Sequence, residues 1–236
     1  QSEGNSRQAM NVLYLLVGRG GSKSIPRKNL AEIAGLSLVG YKARAARKAK
    51  SCTRLILSSD CPEIQAEAKR HGVEVLFTRP AELASDTAQT VDVIRHAMDF
   101  IEVNDPTRYD AVMLLEPSSP FSTSRDFDAA VEMMERTSAT VVVGMREMEV
   151  NSMFTGPIES DGRIRSIVGK IASRRRLARQ QVEQDYTMNG CLYLIGWEHF
   201  RQTGAIYSAP ESTYGLRMER EWSIEIDEPV DLDWAR

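Results

Sequence analysis

The sequence predicts an α/β fold with a doubly wound, mostly parallel sheet and helices on both faces. Three observations carry that reading. Short runs that are apolar at nearly every residue recur along the chain, the pattern of strands covered on both faces. Longer segments of helical periodicity separate them, in β–α alternation over the first 145 residues. A glycine-rich basic loop, "GRGGSKSIPRKN" at 18–29, follows the first apolar run. That is where open α/β sheets bind ligands, at the carboxyl ends of the strands.

Taken in order, strands are predicted over 12–17, 55–58, 73–77, 111–115, 140–143, 163–168, 192–195 and 223–226. Helices are predicted over 38–50, 62–71, 87–103 and 125–136. Pro62 after Asp60 marks a capped start with proline in the first turn. Asp86 with Gln89 three residues on has capping-box spacing, and Val91, Ile94, Met98 and Ile101 then share one apolar face. Between Glu147 and Gln184 the texture changes to polar turns, one hairpin and the arginines 174–176 and 179. Residues 147–184 therefore read as an inserted arm within one domain spanning 10–236, preceded by a polar tail at 1–9.

With 236 residues, 42% of them hydrophobic, the chain can bury a real core. A net charge of −3 offers no general attraction to nucleic acid or membrane. No apolar run approaches spanning length, and no signal-peptide pattern opens the sequence. Cys52, Cys61 and Cys191 form no C-x-x-C pair and, with three scattered histidines, no zinc spacing. They read as reduced packing residues of a cytoplasmic protein.

The opening loop is tested against known phosphate cradles. Gly18 and Gly20 fit a dinucleotide fingerprint, but Lys23 stands where the third glycine belongs. Ser22 separates Gly21 from Lys23, which excludes a Walker loop. Pro26 and the polar residues after it keep the segment from running straight into a helix. What remains is a long loop whose Arg19, Lys23 and Lys28 are spaced for several phosphates rather than one. A solvated basic loop is the plain alternative.

"GRGGSKSIPRKNL" resembles the signature of the acylneuraminate cytidylyltransferases, the CMP-sialic acid synthetase family. "RPAELASDTAQTVDVI" (79–94), "LLEPSSPF" (114–121), "RQQ" through "NGCLYLI" (179–195) and "SIEIDEPVDL" (223–232) match further blocks in family order. The resemblance implies a Rossmann-like nucleotidyltransferase fold and transfer of CMP from CTP to the anomeric hydroxyl of an acidic keto sugar, with loss of pyrophosphate. It also implies Mg²⁺ and a homodimer in which the arm reaches toward the partner.

By motif position, Arg19, Lys23 and Lys28 would contact the triphosphate, and Asn29 the nucleotide. Arg79 and Thr90 fall where relatives contact cytosine and ribose, although Asp86, Gln89 and Thr90 equally read as a helix start. Glu225 and Asp227 alternate with Ile224 and Ile226, which sends both carboxylates to one side of a strand end. With triphosphate oxygens they suit Mg²⁺, a metal of oxygen ligands and retained waters. Relatives have Asp-x-Asp there, so Glu225 is a departure, and a pair of exposed edge acids is the alternative.

Arg179, Gln180 and Asn189 match a sugar-side block. Two more departures concern the sugar: Glu116 replaces a glutamine, and Ser122 stands where an arginine often follows. An ionised glutamate only accepts hydrogen bonds, so Glu116 would repel a sugar carboxylate unless protonated, turned away or paired. These departures allow a nonulosonate other than N-acetylneuraminate. An octulosonate-activating enzyme and a catalytically silent nucleotide-binding relative are the rival readings.

Overall fold

In a computed structural model, residues 9–173 and 184–236 are described. The first strand, β1 (Val12–Val17), is buried from Val12 to Leu16 because it is paired on both edges and covered on both faces. A two-residue hairpin follows the opening loop: β2 (Glu32–Ile33) and β3 (Leu36–Ser37). Ala34 and Gly35 turn it with φ of 47° and 77°, the left-handed geometry that tight hairpins need. Ser37 then caps α1 (Leu38–Lys48), accepting from the Gly40 amide at 3.0 Å.

β4 (Cys52–Ser58), α2 (Pro62–Arg70), α3 (Thr90–Asn104), β5 (Ala111–Leu115) and α4 (Ser124–Thr137) complete the alternating half. β6 (Val141–Glu147) leads into a segment carrying α5 (Arg165–Ser173). The chain returns through β7 (Tyr186–Gly196), α6 (Trp197–Thr203), β8 (Thr213–Arg217) and α7 (Pro229–Ala235). Spatial strand order is β4-β1-β5-β7-β6-β8, and β7 alone runs against its neighbours.

Alternate residues of β1 point to opposite faces. Val12, Tyr14 and Leu16 pack with α1, α2 and α4, while Leu13 and Leu15 pack with α3 and α6. Helices therefore cover both faces, as the strand composition predicts. A third apolar cluster joins Ile25 of the opening loop, Ile33 and Leu38 of the hairpin and α1, and Ile226 and Leu232 of the C-terminal segment. This cluster brings the last residues of the chain against the first loop.

Several predicted elements differ. Residues 163–168 are not a hairpin strand; α5 begins at Arg165, because a nine-residue amphipathic pattern lies there. Within 73–77 only Glu74 makes an isolated bridge, to Ile56, so the run is edge coil rather than a full strand. Residues 223–226 are not in a strand, although the Ile226 amide donates to the Ser118 carbonyl at 2.7 Å. β8 is absent from the predicted set because its "TYGLR" is mostly exposed and weakly patterned. α3 starts at Thr90 without the Asp86–Gln89 box; Asp86 has other partners. The polar tail lies outside the described residues up to position 8, and the arm does so over 174–183.

Candidate active site

β1, β4 and β5 end on the same edge of the sheet, since Leu16 is in register with both Leu57 and Leu115. Beyond that edge lies a cleft of about 360 Å³. Arg19, Lys28, Asn29, Arg79, Thr90, Glu116, Glu225 and Asp227 all line it. Residues from four distant stretches thus converge on one space.

The cations are held by carboxylates. Arg19 and Lys23 both pair with Asp86, at 2.7 and 2.8 Å, so one acid pins two cations of the basic loop. Lys23 is the more exposed, and it sits beside the cleft rather than in its wall. Lys28 pairs with Asp227 at 3.0 Å, and Ser24 donates to the Asp227 carbonyl at 2.5 Å. Asn29 is buried and donates to the Arg19 carbonyl at 2.9 Å, which sets the loop's path. Arg79 is buried against β4, donating to the Ser58 hydroxyl at 3.0 Å and its carbonyl at 2.6 Å. Burial pulls this guanidinium down to about 10, against the opposing pull of Asp60.

The acidic wall of the cleft is formed by Glu116, Glu225 and Asp227. Glu116 makes no side-chain hydrogen bond to a described residue. Burial raises its carboxyl above the usual range; Glu225 and Asp227 raise it further, and Lys42 and Lys28 oppose them. Glu225 is likewise raised by burial first and by Asp227 second. Room for it comes from Gly190, whose φ is +64° and where a Cβ would stand 2.7 Å from Glu225 Oε1. Any side chain at 190 would meet both strain and that carboxylate.

Asn189 does not line the cleft. It is buried behind it, filling the bulge opposite Gly144, where a Cβ would stand 2.4 Å from its Oδ1. Its Nδ2 donates to Ser223 Oγ at 3.0 Å and its Oδ1 accepts from the Cys191 amide at 3.1 Å. Asn189 thereby ties β7 to the segment that carries Glu225. Arg179 and Gln180 lie outside the described residues.

Three positions escape sequence reasoning. Asp86 reads as a cap, and nothing local shows that it clamps two cations. Gly190 is one glycine among fifteen. Lys42 is fully buried on α1 and donates to Ser122 Oγ at 2.6 Å. A signal for Lys42 does exist, since it falls in phase with Leu38, Val39 and Ala46 on the apolar face of α1.

Carboxylates and cations gathered in one cleft suit a polyphosphate and a hard divalent cation. Among the described residues no three potential ligands gather closely enough to hold a metal by themselves. Glu225 and Asp227 would suit Mg²⁺, a metal of oxygen ligands and retained waters, which would need further oxygen ligands from a bound substrate.

Residues 13–181 match a family model described as cytidylyltransferase. The chain is 28% identical over 221 residues to post-translational flagellin modification protein B of Campylobacter coli, covering 94% of this chain and 92% of the relative. It is 27% identical over 236 residues to a CMP-N,N'-diacetyllegionaminic acid synthase of Legionella pneumophila, covering 96% and 94%. A CMP:2-keto-3-deoxy-manno-octonic acid synthetase solved in complex with CTP shares the fold, with a TM-score of 0.66 at 14% identity over 95% of this chain and 96% of that one.

Proposed function

The chain belongs to the cytidylyltransferase family, and from that premise we propose that it joins CTP to the anomeric hydroxyl of a sialic-acid-like nonulosonate, giving a CMP-sugar and pyrophosphate. The observation that carries this reading is the cleft itself, which gathers Arg19 and Lys28 with Glu116, Glu225 and Asp227. The name of the Legionella relative supports a nonulosonate as the sugar.

In the reaction the anomeric oxygen attacks the α-phosphorus as the bond to the pyrophosphate breaks. Catalysis then rests on positioning two anions and neutralising charge on the leaving group. Arg19, Lys23 and Lys28 are assigned to the triphosphate. They are already ion-paired, so the nucleotide exchanges one set of anions for another, and Asp86 and Asp227 keep the cations gathered until it arrives. Asn29 shapes the loop, and Arg79 and Thr90 border the nucleoside end. Glu225 and Asp227 would hold Mg²⁺, which supplies charge neutralisation on the phosphates when bound.

Glu116 is assigned to the sugar. Ionised, its carboxylate accepts from a hydroxyl or N–H of the substrate; burial favours the protonated form, which can also donate. Arg179 and Gln180 are assigned to that carboxylate. Asn189 acts behind the site, through Ser223.

The described part of the arm exposes Val150, Phe154, Ile158, Ile164, Val168 and Ile171, and α5 buries no residue. That apolar surface supports a homodimer formed through the arm. We assign a cytoplasmic location, where CTP is available; no described helix is long and apolar enough to cross a membrane.

The test is pyrophosphate release from CTP with a panel of nonulosonates and octulosonates, with and without Mg²⁺. Release with a nonulosonate supports the reading. Release only with an octulosonate replaces the substrate, and CTP binding without any release marks a silent relative.

A further inference from the structure

Lys42 has no exposed surface, yet among the described residues its ammonium bonds no carboxylate. Its Nζ donates to Ser122 Oγ at 2.6 Å and to the Cys191 carbonyl at 3.0 Å, and it lies 5.7 Å from the centroid of the Phe127 ring. These partners are neutral. A methionine would fill the same apolar face of α1 without the cost of burying a charge. A buried lysine therefore calls for a reason beyond packing.

The reason lies in what its two tethers hold. Ser122 ends the turn that begins at Glu116, and Cys191 follows Gly190, the residue that makes room for Glu225. The Ser119 hydroxyl bonds the Asn189 carbonyl at 3.2 Å, and Ser122 bonds the Ser119 carbonyl at 3.4 Å. The turn and the start of β7 are thus linked beneath the acidic wall, with Lys42 under both. The carboxylates that act on its charge are Glu116, Asp126 and Glu225, and two of these three line the cleft.

We propose that Lys42 is a positioning residue for the acidic wall: its buried ammonium is the internal counter-charge of Glu116 and fastens the 116–122 turn to β7. This rests on the reading of the cleft as the site of CMP transfer to a sugar acid. It also explains why position 122 carries a small hydroxyl side chain, since α1 delivers a cation to that spot from below. Burial pulls Lys42 down to about 8, with Cys191 and the three carboxylates opposing.

The experiment compares wild type with Lys42→Met, Lys42→Gln and Ser122→Ala by thermal unfolding, by calorimetric titration with CTP, and by pyrophosphate release at varied sugar acid. Lys42→Gln keeps an amide donor, one bond shorter than the ammonium it replaces, and removes the charge. Both Lys42 variants are expected to melt no lower than wild type and to bind CTP normally. Their kcat/KM for the sugar acid should fall about tenfold or more. Ser122→Ala keeps the charge, removes one tether, and should raise the sugar KM while leaving CTP affinity unchanged.

Wild-type sugar kinetics in Lys42→Gln overturn the counter-charge, and an unchanged sugar KM in Ser122→Ala overturns the tether. Parallel losses of melting temperature, CTP affinity and sugar turnover overturn both in favour of simple packing. A wild-type protein that binds CTP but turns over no sugar acid overturns the reading of the cleft, and Lys42's role with it. If Lys42→Met does not fold, Lys42→Gln and Ser122→Ala decide the matter.

Discussion

Lys23 illustrates how exposure separates function from stability. Its side chain is 80% exposed and its ion pair to Asp86 is a surface contact of little energetic weight. Lys23→Ala should therefore shift the melting temperature by no more than about 2 °C. If the lysine meets the leaving pyrophosphate, the same change should lower turnover by roughly a hundredfold. Near-normal turnover at saturating CTP would remove Lys23 from the site. Asp227 is tested differently. Asp227→Asn keeps the side chain's size and its bond to Lys28 while halving its capacity as a metal ligand. The variant should need several-fold more Mg²⁺ for half-maximal turnover, by about 1 kcal/mol of lost coordination. An unchanged Mg²⁺ titration excludes Asp227 as a ligand. These two residues are legible in the sequence because each belongs to a short block of characteristic composition. The partners of Asp86 and Lys42 are not, since they lie 67 and 80 residues away.

At the level of elements, α1 shows how a helix start can position a site. Ser37 is buried and bridges two helices: it accepts from the Gly40 amide and donates to Glu67 of α2 at 2.7 Å. Ser37→Ala removes the cap and leaves the Glu67 carboxylate with one fewer donor. The loss should be about 1–2 kcal/mol, read as a lower midpoint in urea with an unchanged slope. A midpoint equal to wild type would mean that water replaces the hydroxyl at both ends. The strongly apolar elements β1 and β5 are legible because every residue type along them agrees with burial. Of β4 only the apolar end, 55–58, is predicted, because Thr53 and Arg54 stand in its first half. The 223–226 segment shows the limit of period-two alternation. Ile226 is buried and Ile224 partly so, but in a side cluster with the hairpin and α7, and the sheet does not extend to it. Alternation reports which side of a backbone is covered, and not by what.

Across the whole molecule, one buried carboxylate links the sheet to its crossover. Asp105, after α3, bonds Arg54 of β4 at 2.6 Å, the Tyr109 hydroxyl at 2.8 Å and the Thr107 amide at 2.9 Å. Burial alone would raise its carboxyl. The donors from Thr107, Tyr109 and Arg54 outweigh that and hold it well below the usual carboxylate range. The folded state therefore binds fewer protons than the unfolded chain just below the unfolded value near pH 4. Its stabilisation is fully present above that pH and is lost as pH falls through the depressed folded value. Asp105→Asn should cost about 1–3 kcal/mol at pH 7, with a gap to wild type that narrows below about pH 4. Urea melts at pH 7 and pH 3 check this; a gap of equal size at both would show that ionisation of Asp105 is not involved.

The sequence by itself determined the fold class, the family and the basic loop, because these depend on residue type and on spacing within contiguous blocks. The order of the strands, the antiparallel placement of β7 and the docking of the C-terminal segment on the first loop were decided by tertiary structure. So were the pairing of Arg19 and Lys23 with Asp86, the space that Gly190 leaves for Glu225, and the lysine beneath the acidic wall. Each of these depends on groups far apart in the chain meeting at a few ångströms, where burial and charge act through space and local pattern carries no record of them.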